Sequence, residues 1–162
     1  MTERRKDILF ILALFIILVL FFSKILFTDK IIRAPDIISE AYWWMKGYND
    51  KPLSELYSFD LKAAWDLYIN SGHTNDGGMA SIKFLLHLPL ILHLIPAPAS
   101  VAWFIVLHLF FGSAGVYCCC RLIGTSRLAA LLGGLIFSLA TENASLINAG
   151  HVMKIATIAY AP

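Results

Sequence analysis

The chain has 162 residues, of which 59% are hydrophobic and 15% are charged. Soluble domains average about 45–50% apolar and about 25% charged residues, so this composition indicates a membrane protein and argues against a soluble enzyme. The net charge of +2 is too small for a nucleic-acid-binding protein, which carries a basic patch. We therefore expect the lipid bilayer, and no nucleic acid, as a partner.

The first predicted element is a membrane span over about residues 8–27, interrupted only by Ser23 and Lys24. A run of about 20 apolar residues crosses the hydrocarbon core of a bilayer. A secretory signal is shorter and ends at a small-residue cleavage site, whereas a polar segment beginning at Thr28 follows here. The pattern favours an uncleaved helix, with a signal peptide as the alternative.

An outer loop of about residues 28–96 comes next, and it opens with an amphipathic pattern. Asp36 precedes that pattern, so it suits a helix N-cap, and Glu40 lies four residues later on the same face. The alternative is that both are catalytic carboxylates at the membrane surface, with Asp36 as a general base or a metal ligand. Trp43 and Trp44 suit either an aromatic belt at the lipid boundary or stacking on a sugar.

The remainder of the loop carries weaker signals. His73 and Asp76 offer two ligands to a divalent ion, which is fewer than a metal site normally has. Residues 82–95 are apolar, but about 14 residues is short for a span and more typical of an interfacial or re-entrant helix.

Two further spans are predicted over about residues 97–120 and 124–141, and another apolar run starts at about residue 155. Small residues four positions apart let transmembrane helices pack closely. The third span holds two such pairs, Ala129 with Gly133 and Ala130 with Gly134.

Basic residues near the span ends predict the orientation, because cytoplasmic loops carry an excess of Lys and Arg. Arg4, Arg5 and Lys6 precede the first span, and Arg121 and Arg127 flank the turn between the second and third. Both observations place the N-terminus and that turn in the cytoplasm. The predicted fold is therefore all-α, with polytopic transmembrane helices and a helical extracytoplasmic loop, in a single membrane region over residues 1–162.

His151 and Lys154 fall in the third outer segment, just before the last apolar run. Lys binds phosphate as a point charge, so these two side chains could contact a phosphate group. They suit equally well an anchor for the next span at the lipid head groups.

The order of these parts resembles a known family. The stretches that carry the resemblance are "LHLFFGSAGVYCCCRLIGTSRLAALLGGLIFSLA" (residues 107–140) and "NAGHVMKIATIAYAP" (residues 148–162), preceded by a span and an acidic, aromatic outer loop. Together they look like the N-terminal part of the YfhO-like bacterial membrane proteins, which are similar in turn to the GT-C glycosyltransferases.

The resemblance implies a multi-span enzyme of the cytoplasmic (inner) membrane that moves a sugar from a polyprenyl-phosphate carrier to an envelope acceptor on the outer face. The acidic residue of the family's first outer loop maps onto Asp36, although Pro35 stands where family members often have Gly. Glu40 is a second catalytic candidate. A divalent metal is left open as cofactor, with no metal ligands assigned. The substrate-binding candidates are Trp43, Trp44, His151 and Lys154.

Three spans and the start of a fourth are fewer than such an enzyme uses. We therefore expect this chain to be an N-terminal fragment, inactive alone, whose partners are the lipid-linked sugar donor and the remaining spans of the full-length protein. The alternative is a non-catalytic multi-span membrane protein, either part of a transporter or a scaffold for an envelope complex.

Overall fold

The structure is a computed structural model, and it describes residues 3–38, 65–66, 73–74, 94–95 and 98–162. Besides connecting segments, the described part consists of helices and one short antiparallel pair, β1 (Trp65–Asp66) and β2 (His73–Thr74). In this pair Asp66 lies opposite His73 and Trp65 opposite Thr74. The prediction of a helical protein is confirmed, with the difference that the segment predicted as an outer loop also contains this two-residue pairing.

The N-terminal region forms two helices where one was expected. Helix α1 covers Glu3–Phe21 and helix α2 covers Ser23–Leu26. The break between them falls at Phe22, directly before the polar residues of the predicted span. Leu14 and Leu18 of α1 are fully buried against later helices.

Helix α3 (Ala99–Leu122) is the longest element, and α4 (Arg127–Ser138) packs antiparallel to it. A Cβ atom at Gly134 would lie 2.9 Å from the Ser113 carbonyl oxygen, so the two backbones approach closely. This confirms that the small residues of α4 serve helix packing.

A short turn joins α3 to α4. The backbone N–H of Thr125 donates to the Cys120 carbonyl at 3.1 Å, and Gly124, at φ +87°, donates to the Arg121 carbonyl. This is a Schellman ending, in which a left-handed glycine closes the helix. Ser126 then caps α4 by accepting a hydrogen bond from the Ala129 N–H.

Helix α4 ends at Ser138, and α5 (Thr141–Ala149) follows after two intervening residues. The side-chain amide of the buried Asn143 donates to the Phe137 carbonyl at 2.6 Å and to the Ser138 carbonyl at 3.4 Å. These bonds satisfy carbonyl groups that the end of α4 leaves without helical partners. The predicted third span of residues 124–141 is therefore a helix with a break, and helical structure continues to Ala149.

Two segments of the described residues are long and apolar enough to cross a membrane, Ala99–Leu122 and Arg127–Ala149. Large apolar side chains also remain exposed in stripes with a four-residue spacing along α1 and α4. They are Ile8, Leu12, Ile16, Leu128, Leu132 and Ile136. An extensive exposed apolar surface marks a protein or membrane contact, so both observations indicate membrane association.

The last helix, α6 (Val152–Ala159), runs alongside α3. A Cβ at Gly112 would lie 3.0 Å from the Ala159 Cα. At the opposite end of α6, Val152 joins the main apolar core. That core combines residues of α3 and α6 with two from the segment after α2: Ala34, Ile37, Val101, Phe104, Ile105, Leu109, Val152, Ile155 and Ala156.

A charged cluster closes the other end of α3. The Asp7 carboxylate oxygen Oδ1 accepts hydrogen bonds from the Tyr117 hydroxyl at 2.9 Å, from Arg121 Nε at 3.0 Å and from Arg127 Nε at 2.9 Å. Arg127 also pairs with Glu3. The start of α1 and the α3–α4 turn therefore lie at the same end of the helices, which we call the Asp7 end.

The charged cluster lowers the pKa values of its two carboxyl groups. Partial burial by itself would raise the pKa of Asp7, but the hydrogen bonds from one tyrosine and two arginines outweigh it and hold the pKa below its ordinary value. The pKa of Glu3 is lowered chiefly by its hydrogen bond with Lys6 and then by Arg127. Both carboxylates are thus held in the charged form.

Candidate functional site

Asp36 lies in a helical turn of residues 35–38 that the core holds in place. Its neighbours Ala34 and Ile37 are fully buried, so the backbone on both sides is fixed. The Ile38 N–H donates to the Ala34 carbonyl at 3.1 Å. Asp36 is therefore inside the turn and does not precede it, and the predicted N-cap role is wrong.

The turn between α5 and α6 is a second Schellman ending. Gly150 has φ +90°, and the His151 N–H donates to the Leu146 carbonyl at 2.9 Å. Because a left-handed conformation strains residues that carry a Cβ, glycine suits this position. The turn places His151 immediately before α6.

Close backbone contact joins this turn to the Asp36 segment. A Cβ atom at Gly150 would lie 2.8 Å from the Ile37 nitrogen, 3.0 Å from the Asp36 Cβ and 3.1 Å from the Asp36 nitrogen. Only glycine leaves room for the two segments to meet in this way. The backbone of the turn, and not a flexible side chain, therefore sets the position of His151 relative to Asp36.

The result is a carboxylate–imidazole pair. His151 Nδ1 lies 2.9 Å from Asp36 Oδ2. A carboxylate can only accept at this distance, and two facing lone pairs would repel, so Nδ1 carries a proton. The His151 side chain is 38% exposed and the Asp36 side chain 41% exposed, so the pair is anchored in the fold and also reachable from outside.

Two exposed cations lie near the pair in sequence. Lys154 follows His151 by three residues and therefore lies about one turn further along α6, and Arg33 precedes Asp36 by three residues. Positive charge in this region suits an anionic ligand. The predicted contact between Lys154 and a phosphate group stays a prediction.

The structure thus brings together two of the six predicted site residues, Asp36 and His151, with Lys154 one turn away. Glu40, Trp43 and Trp44 lie outside the described residues, as do His73's side chain and Asp76. Within the described part of the chain, no group of three His, Cys, Asp or Glu side chains could hold a metal ion.

Sequence reasoning missed the pairing itself, because it assigned His151 to a phosphate group or to an interfacial anchor. The available signal was the Ala149–Gly150 step, since a glycine at the end of a helix predicts a Schellman turn. That turn would have placed His151 at a fixed position at a helix start. It would not have shown which earlier segment lies opposite.

A second polar group lies in the helix interior. His108 of α3 is fully buried, and its Nδ1 lies 2.8 Å from the Phe104 carbonyl oxygen, so Nδ1 is the donor. Its Nε2 atom has no hydrogen-bond partner among the described residues. Nearby, Ser113 and Ser138 link α3 to α4 with an O–O distance of 2.6 Å.

Comparison of this chain with protein-family models, with curated proteins and with solved structures gave no match. The assignment of a function therefore depends on the residues and their geometry.

Proposed function

We propose that this chain is the N-terminal part of an integral membrane glycosyltransferase-like protein. It would move a sugar from a polyprenyl-phosphate carrier to an envelope acceptor on the outer face of the cytoplasmic membrane. The observation that carries the proposal is the close contact of Asp36 with His151 at one end of the helices, with both side chains partly exposed.

The chemistry of sugar transfer requires such a group. The acceptor hydroxyl oxygen forms a bond to the anomeric carbon of the donor, and the bond from that carbon to the phosphate oxygen breaks. The hydroxyl proton goes to the Asp36–His151 pair, and the polyprenyl phosphate leaves with the bonding electrons. A positioned general base contributes about 10²–10⁴-fold to such a step.

Orientation supports the same assignment. The Asp7 end contains the basic residues that the positive-inside rule places in the cytoplasm. Ile37 and Val152, which adjoin Asp36 and His151 in the chain, share an apolar core with Phe104, whereas Asp7 contacts Arg121. Phe104 and Arg121 are 17 residues apart on α3. At 1.5 Å per residue this is roughly 25 Å, a separation that supports the proposal of an outer-face site if the Asp7 end is cytoplasmic.

Donor recognition would use the other residues that the sequence predicts for the site. Lys154 would contact the phosphate group, and Trp43 and Trp44 would stack on the sugar. Glu40 is a second candidate carboxylate. If the reaction uses a divalent metal, the Asp36 carboxylate is the described group best suited to hold it, and further ligands would have to come from other parts of the protein.

The experiment that tests the proposal is transfer of radiolabelled hexose from polyprenyl phosphate to envelope acceptors in membranes that contain the full-length protein. Asp36→Asn should reduce transfer by about 10²-fold or more at unchanged protein level. Asp29→Asn, an exposed carboxylate earlier in the same segment, is the matched control and should leave transfer unchanged. Normal transfer by Asp36→Asn would contradict the proposal.

A second candidate function, a non-catalytic role as part of a transporter, is favoured by His108. An ionisable side chain inside a membrane-length helix often marks a pathway for ions or substrate, and its Nε2 atom is unpaired within the described residues. Proteoliposomes with a pH-sensitive dye inside would test this function. Proton movement that is lost in His108→Phe would support the transporter, and the absence of such movement would exclude a proton pathway through this residue.

A further inference from the structure

We infer that His151 is the proton acceptor of the site, through its Nε2 atom, and that Asp36 is a positioning residue that acts through His151. This inference rests on the proposed function. Considered alone, Asp36 would be assigned as the base, whereas here His151 takes the proton and Asp36 holds the His151 ring. It assigns the proton to a side chain that sequence analysis had placed among the substrate-binding residues.

The contact with Asp36 determines which ring nitrogen of His151 can accept a proton. Nδ1 faces the Asp36 carboxylate at 2.9 Å and carries a proton. In the neutral ring, Nε2 is then the atom with the available lone pair. A carboxylate that holds the other nitrogen fixes the tautomer and stabilises the positive charge that forms when Nε2 takes a proton.

The pair can be reached from outside, because the His151 side chain is 38% exposed and the Asp36 side chain 41% exposed. The Asp36 Oδ2 atom is already occupied by His151. A substrate hydroxyl that approaches the pair from outside can therefore meet Nε2 without breaking the contact between the two residues. If Asp36 itself took the proton from the acceptor, the substrate would have to use its other oxygen or displace the imidazole.

The backbone around Gly150 holds His151 in a fixed position. Gly150 lies directly against the backbone of Asp36 and Ile37, and the Schellman bond from the His151 N–H fixes the residue at the start of α6. A general base must lie within hydrogen-bond reach of the proton it takes. The turn supplies this positioning from the backbone, so the ring does not depend on a loop for its location.

Other charged groups near the pair do not replace Asp36 in this role. Lys154 on α6 and Arg33 before Asp36 are cations, which favour an anionic donor and stabilise the departing phosphate. Glu142 is exposed near the start of α5, whereas His151 follows the end of that helix.

The test uses His151→Asn in the full-length protein, in the same hexose-transfer assay. The Asn side-chain NH₂ occupies about the position of Nδ1 and can donate to Asp36, but nothing replaces Nε2. If His151 has only a structural role, this variant should keep its transfer activity. If His151 is the base, the variant should lose it. We expect unfolding at the wild-type temperature and a loss of transfer of about 10²–10⁴-fold.

A further readout makes the result decisive. In ¹⁵N-histidine NMR spectra of the protein in nanodiscs, the neutral His151 ring should be protonated at Nδ1. Asp36→Asn should shift the ring toward Nε2 protonation, because the amide NH₂ favours a lone pair at Nδ1.

The outcomes separate this inference from the proposed function. Transfer by His151→Asn within about threefold of wild type, together with a large loss in Asp36→Asn, would make Asp36 the base; the inference would fall and the glycosyltransferase would stand. Absence of hexose transfer by the wild-type protein would overturn both. Neutral His151 protonated at Nε2 in the wild type would overturn the inference alone.

Discussion

Asp7 and Asp36 lie near opposite ends of α3, and each joins segments that are far apart in the sequence. The Asp7 carboxylate accepts three hydrogen bonds on one oxygen, and its side chain is 28% exposed. Asp36 contacts one imidazole nitrogen and is 41% exposed. The Asp7 carboxylate therefore holds helices together, whereas the Asp36 carboxylate can still accept hydrogen bonds from a ligand.

The helix turns at the two ends also differ in what they contact. Both are Schellman endings with a left-handed glycine, Gly124 at the Asp7 end and Gly150 beside Asp36. A Cβ at Gly124 would meet nothing within 4 Å, whereas one at Gly150 would meet the backbone of the Asp36 segment. The two turns therefore have similar conformations, but only the Gly150 turn packs closely against another segment.

The largest expected effect comes from Gly150→Ala. The left-handed conformation and the overlap with the Asp36 backbone together should lower the free energy of unfolding by about 2–4 kcal/mol and separate His151 from Asp36. Gly124→Ala is the matched control. It introduces backbone strain without overlap, so it should lower the free energy of unfolding by about 1–2 kcal/mol. Unfolding in detergent measures both, and equal losses would contradict the proposed interface.

Exchange of the two carboxylates for amides should have the next largest effect. Asp7→Asn leaves Arg121 and Arg127 without their shared charge partner, so we expect a clear fall in the thermal unfolding temperature. Asp36→Asn should change that temperature much less, because it disturbs one exposed contact. A larger fall in Asp36→Asn than in Asp7→Asn would mean that the Asp36 end is the structural one.

Acid should weaken the Asp7 end. The pKa values of Asp7 and Glu3 are lowered in the folded protein, so their stabilisation is complete above the ordinary carboxyl range near pH 4. It is lost as the pH falls from that range through the lowered values, because the folded state must then take up protons that the unfolded state already holds. Unfolding temperatures from pH 6 to pH 2 measure the effect, and Asp7→Asn should reduce the slope below pH 4.

The smallest effect belongs to the helix interior between the two ends. Removal of the hydroxyl–hydroxyl contact in Ser113→Ala should cost about 0.6 kcal/mol, the average for hydrogen bonds between transmembrane helices. A double-mutant cycle with Ser138→Ala isolates the pair from the Ser138 bond to the Gly134 carbonyl. A coupling energy near zero would show that the bond contributes nothing beyond packing.

Sequence patterns predicted the helical class and the long apolar segments, because hydrophobic run length is a local property. They also predicted the packing role of Gly134. They missed the break between α4 and α5, since it depends on the Asn143 side chain finding the carbonyls of Phe137 and Ser138. A tertiary contact of this kind leaves no periodic signal.

The sequence predicted two residues of the candidate site but not that they contact each other. Asp36 drew attention as an acid soon after a span, and His151 as a polar residue before the last apolar run. Their contact depends on how the α5–α6 turn packs against the 34–37 segment, and no local pattern encodes that packing. The YfhO-like resemblance and the role of the outer-loop aromatics stay predictions.

The Asp7 cluster also bears on the order in which the helices assemble. Helices α3 and α4 are joined by four residues, so their contacts form at little cost in loop entropy. The bonds to Asp7 join residues at least 110 positions apart. We expect α3 and α4 to associate first and α1 to dock afterwards, which refolding with pulsed hydrogen exchange would detect as earlier protection of α3 and α4. Asp7 would then act as a check on insertion, since only an α1 whose N-terminus lies on the side of the α3–α4 turn can reach the two arginines.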